Sequence, residues 1–78
     1  MENADYLKRF GKNISLNRQK LSISQRHFSR VCEIDQSYIS RIELGIANVT
    51  VSTLCKLSLY LKTPVKSLLD LNKYKKLN

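Results

Sequence analysis

Four interruptions divide this chain into short segments, and each interruption holds residue types that start or stop helices. They are Ser22-Ile23-Ser24, the turn from Cys32 to Asp35, the stretch from Gly45 to Thr50, and Thr63-Pro64. Between them apolar residues recur at helical spacing, whereas no alternating run bounded by a hairpin dipeptide occurs and glycine appears only twice. The expected fold is therefore all-α, a compact five-helix domain. At 78 residues the chain has the length of one domain, too short for a multi-domain enzyme. A chain of this size buries only about 60% of its unfolded surface, so it needs a tight helical core, a staple or a partner chain.

The helices can be placed from their caps. Leu7, Phe10, Ile14 and Leu21 share one face of a first helix from about Asp5 to Leu21, with Asn17 as a polar interruption. Ser24 suits the N-cap of a second helix that buries Phe28 and Val31 and stops near Cys32. Asp35 can cap a third, with Ile34 and Ile39 spaced as a hydrophobic staple, Tyr38, Ile39 and Ile42 as apolar positions, and Gly45 as a left-handed C-cap. Thr50 caps a fourth helix whose inner face is Val51, Leu54, Leu57, Ser58 and Leu61. Thr63-Pro64 supplies a cap and a first-turn proline for a fifth, with Val65, Leu68 and Leu69 facing inward. The domain is expected over residues 1–72, and residues 73–78 form a basic tail expected to fray.

Charge narrows the class of partner. The formal net charge is +8, from 14 Lys and Arg against 6 Asp and Glu. Most of the positive charge flanks the middle segment, which keeps Arg41 alone among basic residues and carries Glu33, Asp35 and Glu43. Such a surface attracts phosphates, of nucleic acid or of an anionic membrane. Lys8, Arg9, Lys12 and Lys20 beside an apolar stripe look like an amphipathic surface helix, but so small a domain needs that stripe for its core. No membrane partner is expected. Cys32 and Cys55 show neither a Cys-x-x-Cys nor a zinc-ligand spacing, so no metal is expected, and reduced thiols in a cytoplasmic protein are the reading. His27, the only histidine, has no cysteine or carboxylate at helical spacing to orient it, and there is no glycine-rich phosphate loop. The chain reads as a non-enzyme that uses no cofactor and binds no small-molecule ligand.

The second and third segments, joined by a turn of about four residues, have the helix-turn-helix arrangement. The residues Ser24-Gln25-x-x-Phe28-Ser29 and Ile34-Asp35-Gln36-Ser37-Tyr38-Ile39-Ser40-Arg41-Ile42-Glu43-x-Gly45 resemble the lambda-repressor-like, XRE-type helix-turn-helix family. The resemblance continues through Asn48-x-Thr50-Val51-x-Thr53-Leu54 and Val65-x-x-Leu68-Leu69, and covers roughly Phe10 to Leu71. It implies sequence-specific binding of double-stranded DNA. It implies further that Gln36, Ser37 and Arg41 contact base edges, while Ser24, Gln25, Tyr38, Ser40 and Asn48 contact phosphates and set register. Gln25 would also brace Gln36, and Arg18 and Glu43 match an internal ion pair. Departures lie at Ser22 and Glu33, where many family members have glycine, and at Asn17, where leucine is usual.

Cys55 and Leu59 lie off the inner face of the fourth helix, and Leu71 and Tyr74 offer apolar atoms near the end of the fifth. Cys55, Leu59 and Leu71 are the expected interface of a homodimer reading a palindromic operator. Among family branches, the bare domain resembles the controller proteins of restriction-modification systems. An antitoxin-like or accessory regulator that chiefly binds a partner protein is the alternative. Only about six residues follow the fifth helix, which favours a stand-alone regulator, repressor or activator.

Overall fold

A computed structural model describes residues 3–69. Helices α1 (Asn3–Lys20), α2 (Gln25–Cys32), α3 (Gln36–Leu44), α4 (Val51–Leu61) and α5 (Val65–Leu68) follow one another, and no strand occurs among the described residues. Leu71, Tyr74 and the 73–78 tail lie outside them.

The caps explain where the helices begin and end. Ser24 accepts a hydrogen bond from the His27 amide at 3.0 Å, and Thr50 accepts one from the Thr53 amide at 3.1 Å. Each satisfies one of the orphan donors of a first turn. At the other ends, α2, α3 and α4 close in the same way. The amide two residues past the helix reaches back five residues, from Ile34 to Ser29, Ile46 to Arg41 and Thr63 to Ser58. The residue in the left-handed conformation is Glu33, Gly45 and Lys62 respectively, and Ser22 adopts the same conformation after α1. Only one of these four positions is glycine, so the chain carries left-handed side chains at a cost of about 1 kcal/mol each.

Phe10 and Ile14 of α1, Phe28 and Cys32 of α2, Ile34 of the turn, Ile39 and Ile42 of α3, Leu57 and Leu61 of α4 and Leu68 of α5 form one core. Burying a side chain of this kind stabilises by about 1.5–3 kcal/mol. Burial raises the Cys32 thiol to about 11, against a smaller lowering by Lys56. Cys32 therefore stays protonated, and Cys55, also free, is exposed.

Several inward assignments change. Val31 is 41% exposed and Cys32 is buried in its place, because a residue four positions from Phe28 returns closer to its face than one three positions away. Val51 is 75% exposed: it is the first residue of α4 and stands beyond the edge of the core that Leu57 and Leu61 reach. Leu69 and Leu21, just past the ends of their helices, are also exposed. Pro64 occupies the N-cap of α5 rather than its first turn, with Thr63 ahead of it.

Polar side chains tie α1 to the C-terminal helices. Asn13 is fully buried and its Nδ2 donates to the Leu68 carbonyl at 2.9 Å, across 55 residues of sequence. Asn17 donates to the Asn13 carbonyl at 2.7 Å and accepts from the Thr63 hydroxyl at 3.2 Å. Asn17 thus replaces an apolar layer with a hydrogen-bonded link to the α4–α5 turn.

Candidate nucleic-acid interface

Helix α3 divides cleanly into two faces. Ile39 and Ile42 are buried, while Gln36, Ser37 and Arg41 are exposed. Ser37 and Arg41, four residues apart, lie above one another on the open face. A helix presented this way fits the major groove, with its N-terminal residues against base edges.

The helix is held by a three-way junction. Glu43 Oε2 accepts from Arg18 Nε at 2.7 Å, and its Oε1 accepts from Arg18 Nη2 at 3.0 Å and from Gln25 Nε2 at 2.9 Å. Arg18 also donates to the Ile23 carbonyl at 2.7 Å. The arginine and glutamate side chains are only 12% and 6% exposed. One carboxylate therefore joins α1, the start of α2 and the end of α3, and its hydrogen bond raises the Arg18 guanidinium further above its already high value. Glu43 is what braces Gln25 here. Gln25 is half-buried at the base of α2, next to the exposed Ser24 whose hydroxyl caps the helix.

Tyr38 links α3 to the following loop. Its hydroxyl donates to the Asn48 carbonyl at 2.7 Å, its ring packs on the core, and the Arg41 guanidinium lies 5.9 Å from the ring centre. That contact holds Arg41 over the aromatic face with about 0.5–1 kcal/mol of cation–π attraction. Tyr38 thus combines a core position with a surface one, and it fixes the backbone that presents the exposed Asn48 side chain. Ser40 is half-buried on the same helix.

Asp35 departs from its expected role. It occupies the N-cap of α3, yet its side chain makes no cap hydrogen bond; Oδ2 instead accepts from the Ser37 hydroxyl. That bond, with smaller contributions from the Tyr38 and Ser37 backbone amides and then the Arg41 charge, holds the fully exposed carboxyl below its ordinary value. In the sequence this exposed carboxylate was legible only as a cap.

A residue without a sequence signal is Gly11, where α1 meets α3. A Cβ there would come within 2.3 Å of the Ile42 carbonyl oxygen and 2.8 Å of that of Glu43. The missing side chain lets α1 lie directly on the last turn of α3, beside the Arg18–Glu43 pair.

Among the described residues no group of three or more His, Cys, Asp or Glu side chains could hold a metal, and no helix is long and apolar enough to cross a membrane. The fold and the exposed row on α3 define a DNA-binding domain of the helix-turn-helix class. The sequence profile described as helix-turn-helix matches residues 14–68, and the chain belongs to that family, one of non-enzymatic DNA-binding transcription regulators. Among solved structures, it is similar to the restriction-modification controller protein C.AhdI from Aeromonas hydrophila, with a TM-score of 0.76 and 27% identity over 80% of this chain and 94% of that one. It is also similar to the hypothetical transcription factor NHTF from Neisseria, with a TM-score of 0.79 and 26% identity over 88% of this chain and 79% of that one. No curated protein matches its sequence significantly.

Proposed function

We propose that the protein is a homodimeric transcription regulator that recognises a two-fold symmetric DNA operator, acting as repressor or activator in the manner of a restriction-modification controller. The observation that carries this reading is the exposed row Gln36, Ser37 and Arg41 on a helix whose opposite face is locked into the core. Gln36 can donate to and accept from adenine N6 and N7, and Arg41 can donate to guanine O6 and N7. Ser24, Gln25, Ser40 and Asn48 are assigned to phosphates, where they set register, while the Tyr38 hydroxyl, whose hydrogen goes to the Asn48 carbonyl, acts by positioning Asn48. The flanking basic residues supply affinity that is blind to sequence and falls with salt. The structural similarity to a controller protein, 94% of which is covered, supports the narrower role.

Selection from a random DNA pool tests the reading. A two-fold motif at physiological salt is expected, and its absence would overturn the proposal. Within that motif, Gln36→Ala should relax preference at one position per half-site by about 1–3 kcal/mol, whereas Asn48→Ala should weaken all sequences alike. Identical behaviour of the two variants would undo the division between reading and clamping.

The dimer reading rests on α4. Val51, Cys55 and Leu59 recur every four residues and are all exposed, Val51 at 75% and Leu59 at 67%, and Leu69 beyond α5 is half exposed. An apolar stripe of this kind suits an isologous contact, which would set two α3 helices about 34 Å apart on successive major grooves. Leu59→Glu should convert a two-chain sedimentation mass to one chain. An unchanged mass would place the interface elsewhere.

A further inference from the structure

Asp35 stands at the N-cap of α3, where its carboxylate binds the Ser37 hydroxyl in place of a regular cap hydrogen bond, and it puts a negative charge beside the residues assigned to the groove of a polyanion. A carboxylate so placed is repelled by phosphates unless it finds a hydrogen-bond donor on the DNA. Its neighbour shapes what that donor must be. The Ser37 hydroxyl spends its hydrogen on Asp35 Oδ2, so its remaining lone pairs face outward as acceptors. Asp35 and Ser37 together therefore form a patch that only accepts.

In the major groove thymine offers O4 and guanine offers O6 and N7, all acceptors that would face this patch acceptor to acceptor. Adenine offers the N6 amino group with the N7 acceptor beside it, which opposes the second carboxylate oxygen. Within their base pairs, adenine's amino group lies between two acceptors, its own N7 and thymine O4, whereas cytosine's has an acceptor, guanine O6, on one side only. We propose that Asp35, backed by Ser37, is a specificity-determining residue that selects a cytosine at one position of each half-site and excludes thymine and guanine there. Exclusion is the larger part of the effect, because a buried acceptor pair without a proton between them is penalised more than the correct contact is rewarded. The inference rests on α3 being the groove-facing helix, as in the preceding reading.

The test uses the full chain. Pool selection with the unmodified protein should recover a two-fold motif with one cytosine whose replacement by the analogue lacking the exocyclic amino group lowers affinity about tenfold. Asp35→Ser keeps a good helix-capping side chain and removes the charge. It should bind the cytosine and analogue duplexes within about twofold of each other while retaining the preference at the Gln36 position. Equal binding of both duplexes by the unmodified protein would overturn the proposal, and this measurement does not depend on a variant folding. Full retention of the cytosine preference by Asp35→Ser would overturn it as well. Failure to recover any two-fold motif would instead overturn the operator reading on which it rests.

Discussion

Glu43→Ala is expected to destabilise the domain by about 3–5 kcal/mol, a loss comparable with the whole stability of so short a chain. The reason is what remains rather than what is removed. Arg18 would keep its charge on a side chain that is only 12% exposed, with its carboxylate partner gone, and Gln25 would lose the acceptor that fixes it at the start of α2. Urea unfolding followed by circular dichroism measures the change. Replacing both charges, Arg18→Met with Glu43→Leu, should cost less than either single removal, because no unpaired buried charge is left. DNA affinity of Glu43→Ala should fall in proportion to the unfolded fraction. A well-folded Glu43→Ala protein that had lost its DNA affinity would show instead that this carboxylate acts directly at the interface.

Gly11→Ala is the second large effect, expected at about 3 kcal/mol or more, the upper end for overpacking. The added methyl would lie 2.3 Å from one backbone oxygen of α3 and 2.8 Å from the next, and neither can swing aside as a side-chain tip could. Relief requires α1 to lift from α3, which also lengthens the Arg18–Glu43 hydrogen bonds. In an isolated helix the same substitution would be favourable by about 1 kcal/mol. A thermal melt of the variant therefore separates the two influences: a raised midpoint would mean that the helices do not approach this closely in solution.

Much of the architecture is legible in the sequence. Ser24 and Thr50 cap helices because a hydroxyl one residue before an apolar period serves the orphan amides wherever the rest of the chain goes. Glu33 and Ser22 take the left-handed conformation at the places where glycine is usual, since a short turn between packed helices demands it whatever the side chain. The juxtaposition of Arg18 and Glu43, 25 residues apart, came from resemblance and not from spacing. Periodicity was less reliable at the margins. Val31, Val51 and Leu69 satisfy an apolar pattern and are nevertheless exposed, because hydrophobicity marks what can be buried and only the position of a neighbouring helix decides what is.

The polar interior was the least visible. Asn13 lies between two core residues, Phe10 and Ile14, where an apolar side chain would be the natural expectation, yet it is fully buried against the Leu68 carbonyl. That carbonyl belongs to the end of α5, whose location relative to α1 no local pattern encodes. Asp35 occupies the N-cap position its sequence context indicates, but its side chain takes a different partner. A capping propensity describes what a side chain can do for its own helix, while the Ser37 hydroxyl offered a competing partner two residues on.

By itself the sequence determined the number and order of the helices, the caps that bound them, the apolar residues available for a core and the helix-turn-helix pair. These depend on interactions within a few residues, which the local order of side chains dictates. The tertiary structure alone decided that Gly11 is a point of helix contact, that Glu43 also holds Gln25, that Asn13 closes α5, and that Val51 stays uncovered beside Cys55 and Leu59. Each is a relation between segments far apart in the chain, and its energy exists only once packing has brought those segments together.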